Sequence, residues 1–84
     1  MFGFLIVPIK HKHADIRNYI SLESAKQNWK KALDFEARCN HGSDPSFYPE
    51  NLKETLSREP EFSHDYVIVG DTTFIWLGEL KLEK

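Results

Sequence analysis

The sequence has 84 residues, of which 40% are hydrophobic, 13% aromatic and 29% charged, and its formal net charge is −2. This length predicts one domain over residues 1–84, with a thin core, because so short a chain buries only about 60–65% of the surface it exposes on unfolding. The aromatic content and the near-balanced charge argue against intrinsic disorder. The longest apolar run, residues 1–9, is shorter than the roughly 20 residues of a membrane-spanning helix. It also lacks the features of a signal peptide, so we expect a soluble cytoplasmic protein.

Two strands are predicted in the first quarter of the chain. Residues 2–9 are mostly β-branched and aromatic and predict a strand that ends near Pro8, because proline cannot donate a ladder hydrogen bond. The basic stretch 10–13 is expected to form a turn or an exposed extension. Residues 15–20 predict a second strand on weaker grounds.

A long helix is the clearest predicted element, and it runs from Leu22 to Asn40. Ser21 is suited to the N-cap position, and Gly42 follows the helix as a stop signal. Apolar side chains recur at helical spacing and form one stripe: Leu22, Ala25, Trp29, Ala32, Leu33 and Ala37.

The second half of the chain predicts a short helix and a hairpin. After a loop over residues 44–48, Pro49 is expected to be the first residue of the short helix. Strands over 66–69 and 72–82 flank Gly70-Asp71, and glycine at the first position is typical of a type II′ turn. The sequence therefore predicts an α+β domain whose elements follow the order ββααββ along the chain. In it, a small antiparallel sheet of three or four strands packs against one long helix, and the domain also has a short second helix and a C-terminal hairpin.

The first predicted strand and the two strands of the hairpin are apolar on both faces, whereas a sheet covered on one side should alternate apolar and polar side chains. Either the short helix and the loop at Phe47 bury the second face within the chain, or part of that face, around Ile75 and Leu77, is an interface for a partner or a second copy. Phe35, on the flank of the long helix, is a further contact residue unless the Phe47 loop folds over it.

Charge is divided between the two halves of the chain. Residues 1–42 contain seven lysines and arginines against four acidic residues, a net charge of +3, and residues 43–84 contain four against nine, a net charge of −5. The acidic half predicts docking against a basic surface of a partner. The predicted partner-binding residues are Phe35, Ile75, Leu77, Glu79 and Glu83.

The basic segment provides an alternative function, a nucleic-acid-binding protein or a small nuclease. Five side chains in it could contact phosphates: Lys10, His11, Lys12, His13 and Arg17. However, the pI of about 6.0 is well below that of a dedicated nucleic-acid binder, and no helix-turn-helix, zinc-finger or RNP motif occurs. We therefore expect a solvated basic surface here.

Patterns typical of enzymes and metal sites are missing from the sequence. The single cysteine, Cys39, excludes an internal disulfide and a CxxC zinc site, and we expect it to be a partly buried small hydrophobe. The glycines are isolated, so there is no phosphate-binding loop. His11, His13 and Asp15 alternate and would share one face of an extended segment, but simple exposure is favoured over a metal or proton-transfer role.

The sequence thus predicts a small non-enzymatic interaction or regulatory protein without catalytic residues, metal or cofactor. We expect it to bind a protein partner or a second copy through an apolar sheet face and an acidic surface. Inhibitors and accessory subunits encoded by phages or mobile elements are proteins of this kind.

Overall fold

A computed structural model describes residues 1–9, 13–58, 60 and 65–80, and it confirms the α+β class. The chain order is that of the sequence prediction, with an added turn of 3-10 helix over Pro45–Phe47. The elements are β1 (Phe2–Pro8), β2 (Asp15–Tyr19), α1 (Leu22–His41), α2 (Glu50–Ser57), β3 (Asp65–Val69) and β4 (Thr72–Glu79).

The four strands form one antiparallel sheet in the order β2-β1-β4-β3. The β3–β4 hairpin closes through two residues, because Val69 pairs with Thr72, and Gly70 adopts the positive φ of 62° that glycine tolerates best. The predicted two-residue hairpin turn is therefore confirmed. Strand β4 ends at Glu79, one residue before Leu80, which the prediction includes, and residues 81 and 82 of the predicted strand lie outside the described part of the chain.

Helix α1 begins and ends at the predicted residues to within one position. The Ser21 hydroxyl accepts a hydrogen bond from the Ser24 amide at 3.1 Å, which satisfies one of the free donors of the first turn. Gly42 has a φ of 87° and donates its amide to the Arg38 carbonyl at 3.0 Å. The buried residues of α1 are spaced four apart and face the sheet: Ala25, Trp29, Leu33 and Ala37.

The core lies between the helices and one face of the sheet, with Trp29 at its centre. The Trp29 ring meets Phe4, Trp76 and Phe74 edge-on, at centroid distances of 5.3, 5.6 and 6.3 Å. Such edge-to-face pairs add to the free energy of area burial. Both tryptophans of the chain are thus used in the core.

Helix α2 packs on the same side of the sheet as α1. Its Leu52 is 1% exposed and belongs to the core that contains Trp29. Arg58, directly after α2, makes a bidentate ion pair with Asp65 at the start of β3, at 2.6 and 3.1 Å. Pro49 precedes the helix as its N-cap residue, one position earlier than predicted.

A β-bulge interrupts the pairing of the two central strands. Gly3 pairs with Gly78 and Phe4 pairs with Trp76, so Leu77 is an extra residue on β4. Beyond the bulge, Phe2 pairs with Glu79, which places Glu79 on the helix side of the sheet. Regular alternation along β4 would instead put Glu79 on the same face as Ile75 and Leu77, so the prediction that groups these three residues in one contact surface is wrong for Glu79.

Gly3 marks the closest approach of β2 to β1, because a Cβ atom at this position would overlap the backbone carbonyl of Arg17. We expect Gly3→Ala to displace β2 and to lower the free energy of unfolding by about 1–3 kcal/mol, as overpacking does. Urea denaturation measures the difference. Asn18→Ala, at the exposed cross-strand neighbour, is the control and should change stability by less than about 0.5 kcal/mol. A Gly3→Ala protein as stable as the wild type would refute the close approach.

Candidate interaction surface

The face of the sheet opposite the helices carries an apolar row that crosses all four strands. The pairing places Ile16 beside Leu5, Leu5 beside Ile75, and Ile75 beside Tyr66. A shorter row runs alongside it, in which Val7 lies beside Thr73 and Thr73 beside Ile68. We call this surface the open face, and it comprises Leu5, Val7, Ile16, Asn18, Tyr66, Ile68, Thr73, Ile75 and Leu77.

The exposures along β3 show that the two faces of the sheet differ. Tyr66 and Ile68 are 63% and 51% exposed, whereas Val67 and Val69, which alternate with them, are 2% and 1% exposed. Ile16 on β2 is 57% exposed. The buried residues of α1 and α2 belong to the core on the other side, so neither helix covers the open face. Of the two alternatives, the one in which the short helix and the loop at Phe47 bury the second face within the chain is therefore wrong for the described residues.

The open face contains no charged side chain among its nine residues. The charged residues of β2 lie on the helix side, where Arg17 donates from Nε to the Asp15 carboxylate at 2.7 Å. An apolar surface without charges has a desolvation cost much lower than that of a charged one, so it can be buried against another apolar surface without pairing ions.

The predicted partner-binding residues do not form one surface. Ile75 and Leu77 are half-buried by their neighbours on the open face, but Glu79 lies on the helix side beyond the bulge. Phe35 lies on α1, on the opposite side of the sheet. Glu83 is outside the described residues. Only the Ile75 and Leu77 positions therefore belong to a common apolar surface.

Phe35 stays exposed because the loop expected to cover it does not do so. Phe35 is 71% exposed and Phe47 is 70% exposed. Phe35 borders a groove between α1 and the β1–β2 pair, together with Ile6, Tyr19 and Lys31. The interpretation in which Phe47 folds over Phe35 is wrong.

The structure describes only part of the predicted nucleic-acid segment. Lys10, His11 and Lys12 lie outside the described residues, and His13 is exposed. The hydrogen bond to Asp15 is the main cause that raises the pKa of the Arg17 guanidinium above its ordinary value, and the same carboxylate partly neutralises its charge. Nucleic-acid binding by this segment stays a prediction.

Three polar side chains at the edge of the core form a small network that connects the loop before α2 to α1: Tyr48, Asp34 and Arg38. The Tyr48 hydroxyl donates to Asp34 at 3.0 Å, and Arg38 pairs with the other Asp34 oxygen at 3.0 Å. Desolvation, followed by the hydrogen bond to Asp34, raises the pKa of the Tyr48 hydroxyl. Because Tyr48 is buried against the core and each of these groups is paired, we assign the network a structural role.

The described residues bring together no group of three or more histidine, cysteine, aspartate or glutamate side chains that could hold a metal ion. Cys39 is exposed, so its predicted partial burial is wrong. Within the same residues, no helix has both the length and the apolar character needed to cross a bilayer.

Comparisons with protein-family models, with curated proteins and with solved structures found no match to this chain. The open-face residues Ile16, Tyr66 and Ile68, on the two edge strands, were not among the predicted contact residues. The two apolar faces of the predicted strand 66–69 pointed to Tyr66 and Ile68, but nothing comparable pointed to Ile16, which alternates with Asp15 and Arg17. The predicted hairpin already places Tyr66 and Ile68 beside β4, whereas Ile16 reaches the surface around Ile75 only through the pairing of β2 with β1 and of β1 with β4.

Proposed function

We propose that this chain is a cytoplasmic, non-enzymatic interaction domain that binds a protein through the open face. The observation that carries the proposal is the apolar row from Ile16 to Tyr66, which crosses the whole sheet while both described helices pack on the opposite side. Extended apolar patches of this kind on small domains are typical of protein interfaces.

The size of the open face supports this function. Four strands of five to eight residues, about 4.8 Å apart with a rise of about 3.3 Å per residue, span roughly 19 Å by 16–26 Å. The projected area of this face is therefore roughly 300–500 Å², the size of the largest apolar patch on a typical monomer, and such patches are often functional. Leaving it in water would favour association through the hydrophobic effect.

The acidic surface predicted from the sequence is not needed for this proposal. Asp65 is paired with Arg58, its side chain is only 16% exposed, and Glu79 lies on the helix side. The open face offers no charge to a basic partner. We therefore expect binding through it to be insensitive to salt, in contrast to binding through an acidic surface.

Affinity capture with paired baits tests the proposal. The wild type, Ile68→Lys on the open face and Phe35→Lys on α1 are expressed in the native host, and captured proteins, the untagged chain included, are quantified by mass spectrometry. A lysine ammonium on the open face must be desolvated on binding. We therefore expect the Ile68→Lys bait to capture at least about tenfold less of a specific partner than the wild-type bait does. The Phe35→Lys bait should retain it, because its change is equally drastic but lies on the other side of the molecule.

Circular dichroism of both variants checks that each is folded. Indistinguishable captured sets for all three baits would contradict the proposed function, as would a loss confined to Phe35→Lys. Repeating the capture at low and high salt adds a second criterion, since retention at high salt is expected for an apolar contact.

A further inference from the structure

We propose that the open face binds a second copy of this chain, so that two sheets stack face to face in a symmetric dimer. This inference rests on the proposed function and names the protein that is bound. It depends on the charge and the area of the open face and on the position of both helices on the other side of the sheet.

The lack of charge makes the open face complementary to itself. In a twofold-symmetric interface the same patch of both copies meets, so any charged residue near the axis would oppose its own like charge. The open face has no charged residue. On the helix side of the sheet, by contrast, β2 already carries two, Asp15 and Arg17. A partner selected by charge complementarity would find nothing on this surface to recognise.

The layer arrangement also fits a second copy. Each chain has one sheet with helices on a single side, and stacked sheets pack about 10 Å apart through interdigitating apolar side chains. Two copies would form a helix–sheet–sheet–helix sandwich in which both faces of each sheet are buried. The centre of the row lies between Leu5 and Ile75, on the two central strands, so these side chains would meet near the twofold axis.

The area sets the strength that we expect of the dimer. A dimer would bury two faces with a projected area of roughly 300–500 Å² each, and the accessible area is somewhat larger because side chains project from the sheet. The total buried area is therefore at or below the lower limit of specific interfaces, about 1,200 Å². A contact of this size gives a weak, reversible dimer. We therefore expect association in the micromolar range, which dilution reverses.

Ile75 distinguishes stacking of faces from pairing of sheet edges. It lies on β4, which has β1 on one side and β3 on the other, so its strand is not at an edge of the sheet. A lysine at this position disrupts face-to-face stacking but leaves the hydrogen-bonding edges of β2 and β3 unchanged. Tyr66→Lys is the second variant, at a position that is 63% exposed and therefore tolerant of substitution in the monomer.

Sedimentation equilibrium over a dilution series tests the inference. We expect the wild type to approach twice its chain mass of 9.8 kDa at high concentration and to fall to the chain mass on dilution. Ile75→Lys and Tyr66→Lys should weaken association at least about tenfold. Phe35→Lys, with its new charge on the outer helix layer, should behave as the wild type.

Mixing opposite charges provides a further test of self-association. Ile75→Lys and Ile75→Glu should each be monomeric alone and should form a dimer when mixed, because the two new charges would then attract across the axis. A wild type that is monomeric at every concentration, or a dimer that neither Ile75→Lys nor Tyr66→Lys weakens, would overturn the inference. In that case, the capture experiment decides whether the proposed function still holds. If the Ile68→Lys bait loses a protein other than this chain, the open face binds a different partner. If it loses none, both the dimer and the proposed function are contradicted.

Discussion

Trp29→Ala is expected to remove a large fraction of the free energy of unfolding. Trp29 is 1% exposed, and its ring contacts three other aromatic rings on β1 and β4. Replacing a buried tryptophan with alanine removes its transfer free energy and leaves a cavity, which together cost about 3–5 kcal/mol. Domains of this size have a total stability of only about 4–13 kcal/mol, so the loss is a large fraction of it. Urea unfolding followed by circular dichroism measures the change.

Phe35→Ala is the matched control, because it also truncates an aromatic residue of α1. Phe35 is 71% exposed, so its loss should change the free energy of unfolding by less than about 0.5 kcal/mol. Similar losses for both variants would contradict the orientation of α1, since that orientation places one aromatic residue in the core and the other in solvent.

The second large effect is expected from adjacent residues of β3. Val69 is 1% exposed against the helices, whereas Ile68 is 51% exposed on the open face. Val69→Lys would bury an unpaired ammonium group and should cost roughly 3–5 kcal/mol or more. Ile68→Lys should cost less than about 1 kcal/mol, the range of β-strand propensities. Chemical denaturation at a protein concentration that keeps the chain monomeric gives both values.

This pair tests which face of the sheet is the core. If Ile68→Lys were as destabilising as Val69→Lys, the open face would be packed within the single chain. If Val69→Lys were tolerated, the register of the β3–β4 hairpin would be wrong. The two substitutions introduce the same side chain one residue apart, so differences in composition cannot account for a difference in stability.

Local chemistry was sufficient to predict most of the elements. Ser21 and Gly42 mark the two ends of α1, because a hydroxyl can cap the first turn and glycine tolerates a positive φ. Gly70-Asp71 identified the hairpin for a related reason. The apolar stripe of α1 correctly predicted the face that contacts the sheet, with Trp29 at its centre, although Leu22 at the start of the stripe is 37% exposed.

The candidate surface was predicted only in part, because it depends on pairing between distant strands. Sequence alternation identified Ile75 and Leu77 but missed the bulge, which adds one residue to β4 and moves Glu79 to the other side. The positions of Phe35 and Phe47 relative to each other were likewise beyond local reasoning, because they depend on how the connection between the helices folds. The predicted hairpin already places Tyr66 beside Ile75, whereas Ile16 joined the surface only once β2 was placed next to β1.

Solvent accessibility measured by NMR tests the central claim most directly. A soluble paramagnetic gadolinium chelate broadens the signals of exposed side chains, and it is added to the wild type at several protein concentrations. We expect Tyr66 and Ile68 to be strongly broadened in the dilute monomer and progressively protected as concentration rises, while Val67 and Val69 remain protected throughout. Equal protection of all four residues at the lowest concentration would contradict the account, because the open face would then already be buried within one chain.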